Sequence, residues 1–362
     1  MNILIGDNLK ELRKKKNNTQ EDLAGFLTVS INAVSKWERG ECYPDIELLP
    51  KIAAYYDVSV DDLLGVGKIR KQKRIDEYEE KSSYFDNIGD MESKLALWRE
   101  AQKEFPNDWD VLYGLMDALS DLSIRDCSTE NSQELIEIGE KILSQCTDND
   151  KREIAVQRLC FLYKTLGDME KAKEYANMGS SLYVTSDILL THALKGDELL
   201  EQRQGNIKRL TELLAQEIHY YGVWHRFTEI DIAKYAYHKA IKIYELIYED
   251  GDFGFYACRV SEIYNELAKI SAEQQDKTAT FNYLANAAKY AIIYDTKTDY
   301  KYTSPLVNRL SHSNSGISKN YMSNWSYLLL KSTEDKHYDF CRDDEAFTKI
   351  AEDLKKSAVS GE

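Results

Sequence analysis

Two helix starts eleven residues apart constrain this 362-residue chain more than any other feature. In TQEDLAGFL, Thr19 stands three residues before Asp22. At that spacing a hydroxyl caps a backbone N–H of the first turn and the acid returns the bond. Ser30 is a second N-cap, opening VSINAVSKWERG, with Val29 and Val34 at the positions of a hydrophobic staple and Gly40 just past the end. Leu23, Phe26 and Leu27 make the apolar side of the first helix; Val34 and Trp37 make that of the second. The residues between leave room only for a very short turn.

The flanks extend the pattern. Ile5, Leu9 and Leu12 repeat at helical spacing before Asn17-Asn18. Pro50 suits the first turn of a fourth helix, where N–H groups lack helical partners. Ser59 with Asp62 caps a fifth, and Gly65 ends it. TQEDLA, VSINAVSKWERG and PDIELLPKIAAYYDVSVDDLLG together resemble the Cro/C1-type (XRE) helix-turn-helix family over about residues 5–65. The resemblance implies a five-helix, lambda-repressor-like domain that binds double-stranded DNA, with the third helix in the major groove. Matched to the motif, Ile31, Asn32, Ser35 and Lys36 face the bases, and Ser30 at the helix start belongs to the DNA-binding set. Asn suits adenine, Lys guanine, and Ile a thymine methyl. Gln20 matches a position that contacts a phosphate, and Arg39 is a candidate for another. The run Arg13 to Lys16 reads equally as a solvated face or as a set of backbone contacts.

A net charge of −15 argues against such a role only on average. Residues 1–40 hold seven Lys/Arg against five Asp/Glu, and residues 66–74, VGKIRKQKR, five basic groups and no acid. Residues 75–362 hold 34 basic against 51 acidic groups. With a Debye length of about 8 Å at physiological salt, that distant charge is screened from the head. Residues 66–75 read as a basic linker, either solvated or touching phosphates near the site.

Beyond the linker the chain reads as all-α, with 4 Pro and 17 Gly among helix formers. IGDMESKLALWREAQKEFPND (88–108) and LCFLYKTLGDMEKAKEYANM (159–178) resemble tetratricopeptide-type repeats. Gly89 and Gly167 sit at turns, Trp98, Ala101, Ala172 and Ala176 on packing faces, and Pro106 at an end. DWDVLYGLMDALSDL (108–122) reads as the first helix of a further hairpin. Residues 76–310 are therefore expected to form a TPR-like α-solenoid. Residues 311–362 should hold a polar mobile loop (311–325) and a capping helix bearing Phe347, Ile350, Ala351 and Leu354.

Thirteen of the 25 tyrosines lie between 220 and 302. Tyr237, Tyr244 and Tyr248 recur as Tyr283, Tyr290 and Tyr294, a constant shift of 46 residues, each trio on one helix face. Two readings stand: the rings fill gaps between stacked helices, or they line a concave groove that binds an extended peptide. The join of head and repeats is similar to the peptide-responsive regulators of Gram-positive bacteria, which implies a peptide or protein effector.

Nothing points to an enzyme. His219 and His225 are six apart, unlike a metalloprotease pair, and GxxxxGK[ST], GxGxxG and GxSxG are missing. No cofactor or metal is expected. The six cysteines form no CxxC pair, which suits buried thiols in a reducing cytoplasm, and no stretch is long and apolar enough for a signal peptide or a membrane span. The expectation is a cytoplasmic, homodimeric transcription regulator with no membrane partner. The alternative is a protein–protein interaction scaffold with the same head and no effector.

Overall fold

The computed structural model describes residues 5–123, 129–313 and 323–360. These fall into two compact units, residues 5–83 with 94–118, and residues 84–93 with 119–360.

The first unit begins with α1 (Ile5–Lys15), α2 (Gln20–Leu27), α3 (Ile31–Glu38), α4 (Leu49–Tyr56) and α5 (Val60–Leu64). The two capping boxes form at Thr19/Asp22 and Ser59/Asp62, and Ser30 caps α3. Ile5, Leu9, Leu23, Leu27, Val34, Trp37, Ile52 and Leu63 close one small core. Asn8 of α1 locks α5 by donating to the carbonyls of Asp62 and Leu63 at 3.3 and 3.2 Å.

The expected linker is a helix instead. α6 (Val66–Ile88) starts immediately after Gly65. Its Lys and Gln residues favour helix, and three of the five cations of the run find partners within the unit. Lys68 reaches Asn8 and Glu11, Lys71 reaches Asp108, and Arg74 reaches Glu77 and Glu104. α7 (Met91–Glu104) and α8 (Trp109–Ser123) follow. Trp98 is buried with its indole N–H on the Ser82 hydroxyl at 3.0 Å. The division into units thus falls beyond the boundary at 65 that the sequence suggests.

The second unit is built from helical hairpins. α9 (Thr129–Gln145), α10 (Asn149–Thr165) and α11 (Met169–Ala176) pack together, then α12 (Ser186–Ala193) leads into the 30-residue α13 (Gly196–His225). α13 pairs with α14 (Ile230–Ile247), and α15 (Ala257–Glu273) with α16 (Lys277–Thr296). These consecutive hairpins explain the 46-residue shift, since α14 and α16 are their second members. The close approach needs Gly222: a Cβ there would lie 2.6 Å from a ring carbon of Tyr237. Ala172 packs as expected, but Ala176 ends α11 in solvent.

The C-terminal segment departs from a plain loop. β1 (Asp299–Lys301) pairs antiparallel with β2 (Ser311–Ser313), Tyr300 opposite His312. Residues 314–322 of the expected loop lie outside the described residues. α17 (Trp325–Ser332) and α18 (Glu345–Ser357) cover α16, with Phe347 and Leu354 buried. Cys146, Cys258 and Cys341 are buried, whereas Cys42 is exposed, contrary to the expectation of buried thiols; Cys127 lies outside the described residues. No described helix is long and apolar enough to cross a membrane.

Candidate DNA-reading face

The outward side of α3 is set by what holds its inward side. Val34 and Trp37 enter the core, which turns Ile31, Asn32 and Lys36 into solvent and leaves Ser35 half-buried. The Ser30 hydroxyl oxygen accepts from the Ala33 N–H at 3.2 Å, which leaves its O–H free to donate. The end of α3 is fixed by backbone approach: a Cβ on Gly6 would lie 2.5 Å from the Trp37 carbonyl oxygen, so only glycine lets α1 come this close.

A charged network beneath α3 finishes the alignment. The Glu38 carboxylate is buried and accepts a fork from Arg13, Nε to Oε1 at 2.6 Å and Nη2 to Oε2 at 2.9 Å. Arg13 also donates to the Asn18 carbonyl at 2.8 Å, and Gln20 donates to Glu38 Oε2 at 2.9 Å. Side chains of α1, α2 and α3 therefore meet on one acid. Burial pushes the Glu38 carboxyl up, but the bonds from Arg13 and Gln20 and the Arg13 charge outweigh it and hold it below its usual value.

This geometry changes the reading of several residues. Gln20 is not free for a phosphate with its whole amide, because one N–H serves Glu38. Arg39 is exposed but engaged, bonding Glu41 at 2.6 Å and the Ser35 hydroxyl. Within the basic run, Arg13 is structural, Lys16 reaches the Tyr55 carbonyl, and Lys14 and Lys15 lie in solvent. Sequence reasoning missed the Arg13–Glu38 fork. The two are 25 residues apart, and the one available signal was an acid on the apolar side of α3 beside Trp37.

The tyrosine trios do not form a groove. Tyr237, Tyr244, Tyr248 and Tyr290 are buried in one cluster with Phe253, Tyr256 and Tyr302, and Tyr283 and Tyr294 pack against it half-buried. The hydroxyls of Tyr237 and Tyr248 have no partner in the protein, and burial pushes the Tyr237 phenol up to about 12. Tyr283 shares a hydrogen bond with a side chain of another helix, His238 at 3.2 Å. The single-face spacing of each trio is the face turned inward.

Residues 9–63 match the helix-turn-helix family model. Over 88 residues, 22% of this chain and 79% of the other, the sequence is 32% identical to the cryptic phage CTXphi transcriptional repressor RstR of Vibrio cholerae. The chain belongs to the helix-turn-helix family. The helix-turn-helix segment is also 48% identical over 60 residues to the transcriptional activator BcrR of Enterococcus faecalis, a match that spans 17% of this chain and only 29% of BcrR. The crystal structure of Bacillus thuringiensis PlcR in complex with the peptide PapR7 and DNA overlaps 81% of this chain and 95% of that one. Its TM-score is 0.35 and its identity 15%, too loose to establish a shared fold.

Proposed function

We propose that this protein is a sequence-specific DNA-binding transcription regulator that acts as a homodimer. The observation that carries this is the polar outward side of α3, with Ile31, Asn32 and Lys36 exposed on a helix aligned by the buried Glu38 network. Ile31, Asn32, Ser35 and Lys36 read base edges, Ser30 sits where α3 enters the groove, and Gln20 and Arg39 position the head on phosphates. One such helix reads few bases, so a two-fold pair of heads supplies the specificity.

An effector, if peptide, has room in the second unit away from the tyrosines. Two adjoining cavities of about 690 and 650 Å³ share Glu153, Val156 and Ser180. Phe161 and Met178 offer apolar surface there, and the rim holds Glu140, Asp150 and Glu153 with Arg152 among them, an acidic balance that suits a basic side chain.

The test is selection of bound fragments from a random duplex library at physiological salt, followed by sequencing. A two-fold symmetric motif is expected. Failure to enrich any motif would overturn the reading and favour an interaction scaffold.

A further inference from the structure

The long helix α13 is apolar on two sides. Its inner side, with Thr211, Ala215, His219 and Gly222 buried, packs on α14. Its outer side carries Leu210, Leu213, Leu214, Tyr220, Tyr221 and Trp224, all exposed, Trp224 by 81%. Glu217 stands in the middle of that stripe as its one charged member. A helix facing water on one side carries polar residues there, and a helix apolar all round is a buried one. Such a stripe is the surface that a partner would cover.

We propose that the cover is the same stripe of a second copy of this chain, laid antiparallel across a two-fold axis at Glu217. This deepens the homodimer reading above by naming its surface. The positions are symmetric about Glu217, so the pairing sets Leu210 against Trp224, Leu213 against Tyr221, and Leu214 against Tyr220. Leucines occupy one half and aromatics the other. Antiparallel pairing therefore seats each aliphatic chain on a ring, and each contact is repeated by symmetry as an isologous interface requires. The stripe is about 21 Å long at 1.5 Å per residue. Three aromatics and three leucines, each roughly half exposed or more, offer on the order of 600 Å² per copy. Two copies reach the lower range of a stable interface, about 1,200 Å² in total. Depletion of charge and enrichment in Tyr and Trp are what the centre of such an interface shows. Glu217 faces its own copy, a like-charge contact that weakens the pair and fixes its register.

Sedimentation equilibrium of the full chain without DNA tests this. The unmodified chain is expected to be dimeric. Trp224→Glu should weaken the dimer at least about 30-fold, as for loss of the largest aromatic anchor, with an unchanged far-UV spectrum. Glu217→Leu should tighten it about tenfold. In a Cys42→Ser background, Glu217→Cys should oxidise to a covalent dimer, whereas Glu201→Cys should not. A monomeric unmodified chain, a dimer indifferent to Trp224→Glu, or equal crosslinking at both positions would overturn the proposal. None of these results bears on base reading by the head, which the duplex selection measures separately.

Discussion

The two units are both helical, yet they are specified by different means. In the head, buried polar groups are joined into networks. Asn8 bonds two carbonyls of α5 and receives Lys68, and Glu38 takes Arg13 and Gln20. Among its described residues the Tyr56 hydroxyl is the orphan. In the second unit the hydroxyls of Tyr237, Tyr248 and Tyr338 are buried without a partner in the protein. Directional bonds fix a unique arrangement, whereas ring packing fills volume and tolerates lost hydrogen bonds. The head must hold one helix in one orientation; the hairpins need only to stack.

The sharpest way to break that contrast is Glu38→Ala. It leaves the Arg13 guanidinium, 14% exposed, without its acid, and should cost about 3–5 kcal/mol. Denaturant unfolding should then show the head melting before the second unit. The same pair sets a pH dependence. Because the folded Glu38 carboxyl lies below its unfolded value, its stabilisation is complete above the unfolded value and is lost as pH falls through the folded one. Glu38→Gln should blunt the acid limb of the head's unfolding and leave that of the second unit alone. A single cooperative transition in every variant would remove the distinction between the units.

Next in size, Asn32→Ala should cost roughly 1–3 kcal/mol on the selected operator and relax choice at one base position, with melting unchanged. Uniform weakening on all sequences would show a phosphate contact instead. In the second unit, Tyr237→Phe removes a buried hydroxyl that bonds nothing and should stabilise by about 1 kcal/mol. Loss of stability would reveal a partner for that phenol and narrow the contrast. Smallest is Thr28→Gly. Thr28 ends α2 at φ 58°, where a β-branched residue is strained, and the change should gain about 0.5–1 kcal/mol in thermal unfolding.

What the sequence made legible was local. Thr19, Ser30 and Ser59 act on N–H groups three residues away, so their caps could be placed without knowing the fold. The 46-residue shift marked two equivalent helices for the same reason. The rest depended on contacts across the chain. Lys68 and Lys71 read as a linker until Glu11 and Asp108 supplied partners, and Arg13 read as one of four surface cations until Glu38 claimed it. The tyrosines and the α13 stripe show the same gap in opposite directions. Periodicity says that residues share a face, and only packing says whether that face turns inward.

The pairing of Arg39 with Glu41 bears on how DNA binding would respond to salt. A cation that neutralises a phosphate frees a condensed counterion, and each such event adds about 0.9 to the slope of log affinity against log salt. If Arg39 leaves Glu41 for a phosphate, the abandoned carboxylate attracts an ion from solution. The release at the DNA and the uptake at the protein oppose one another. On the proposed reading, Arg39 anchors the head while adding little to its sensitivity to ionic strength.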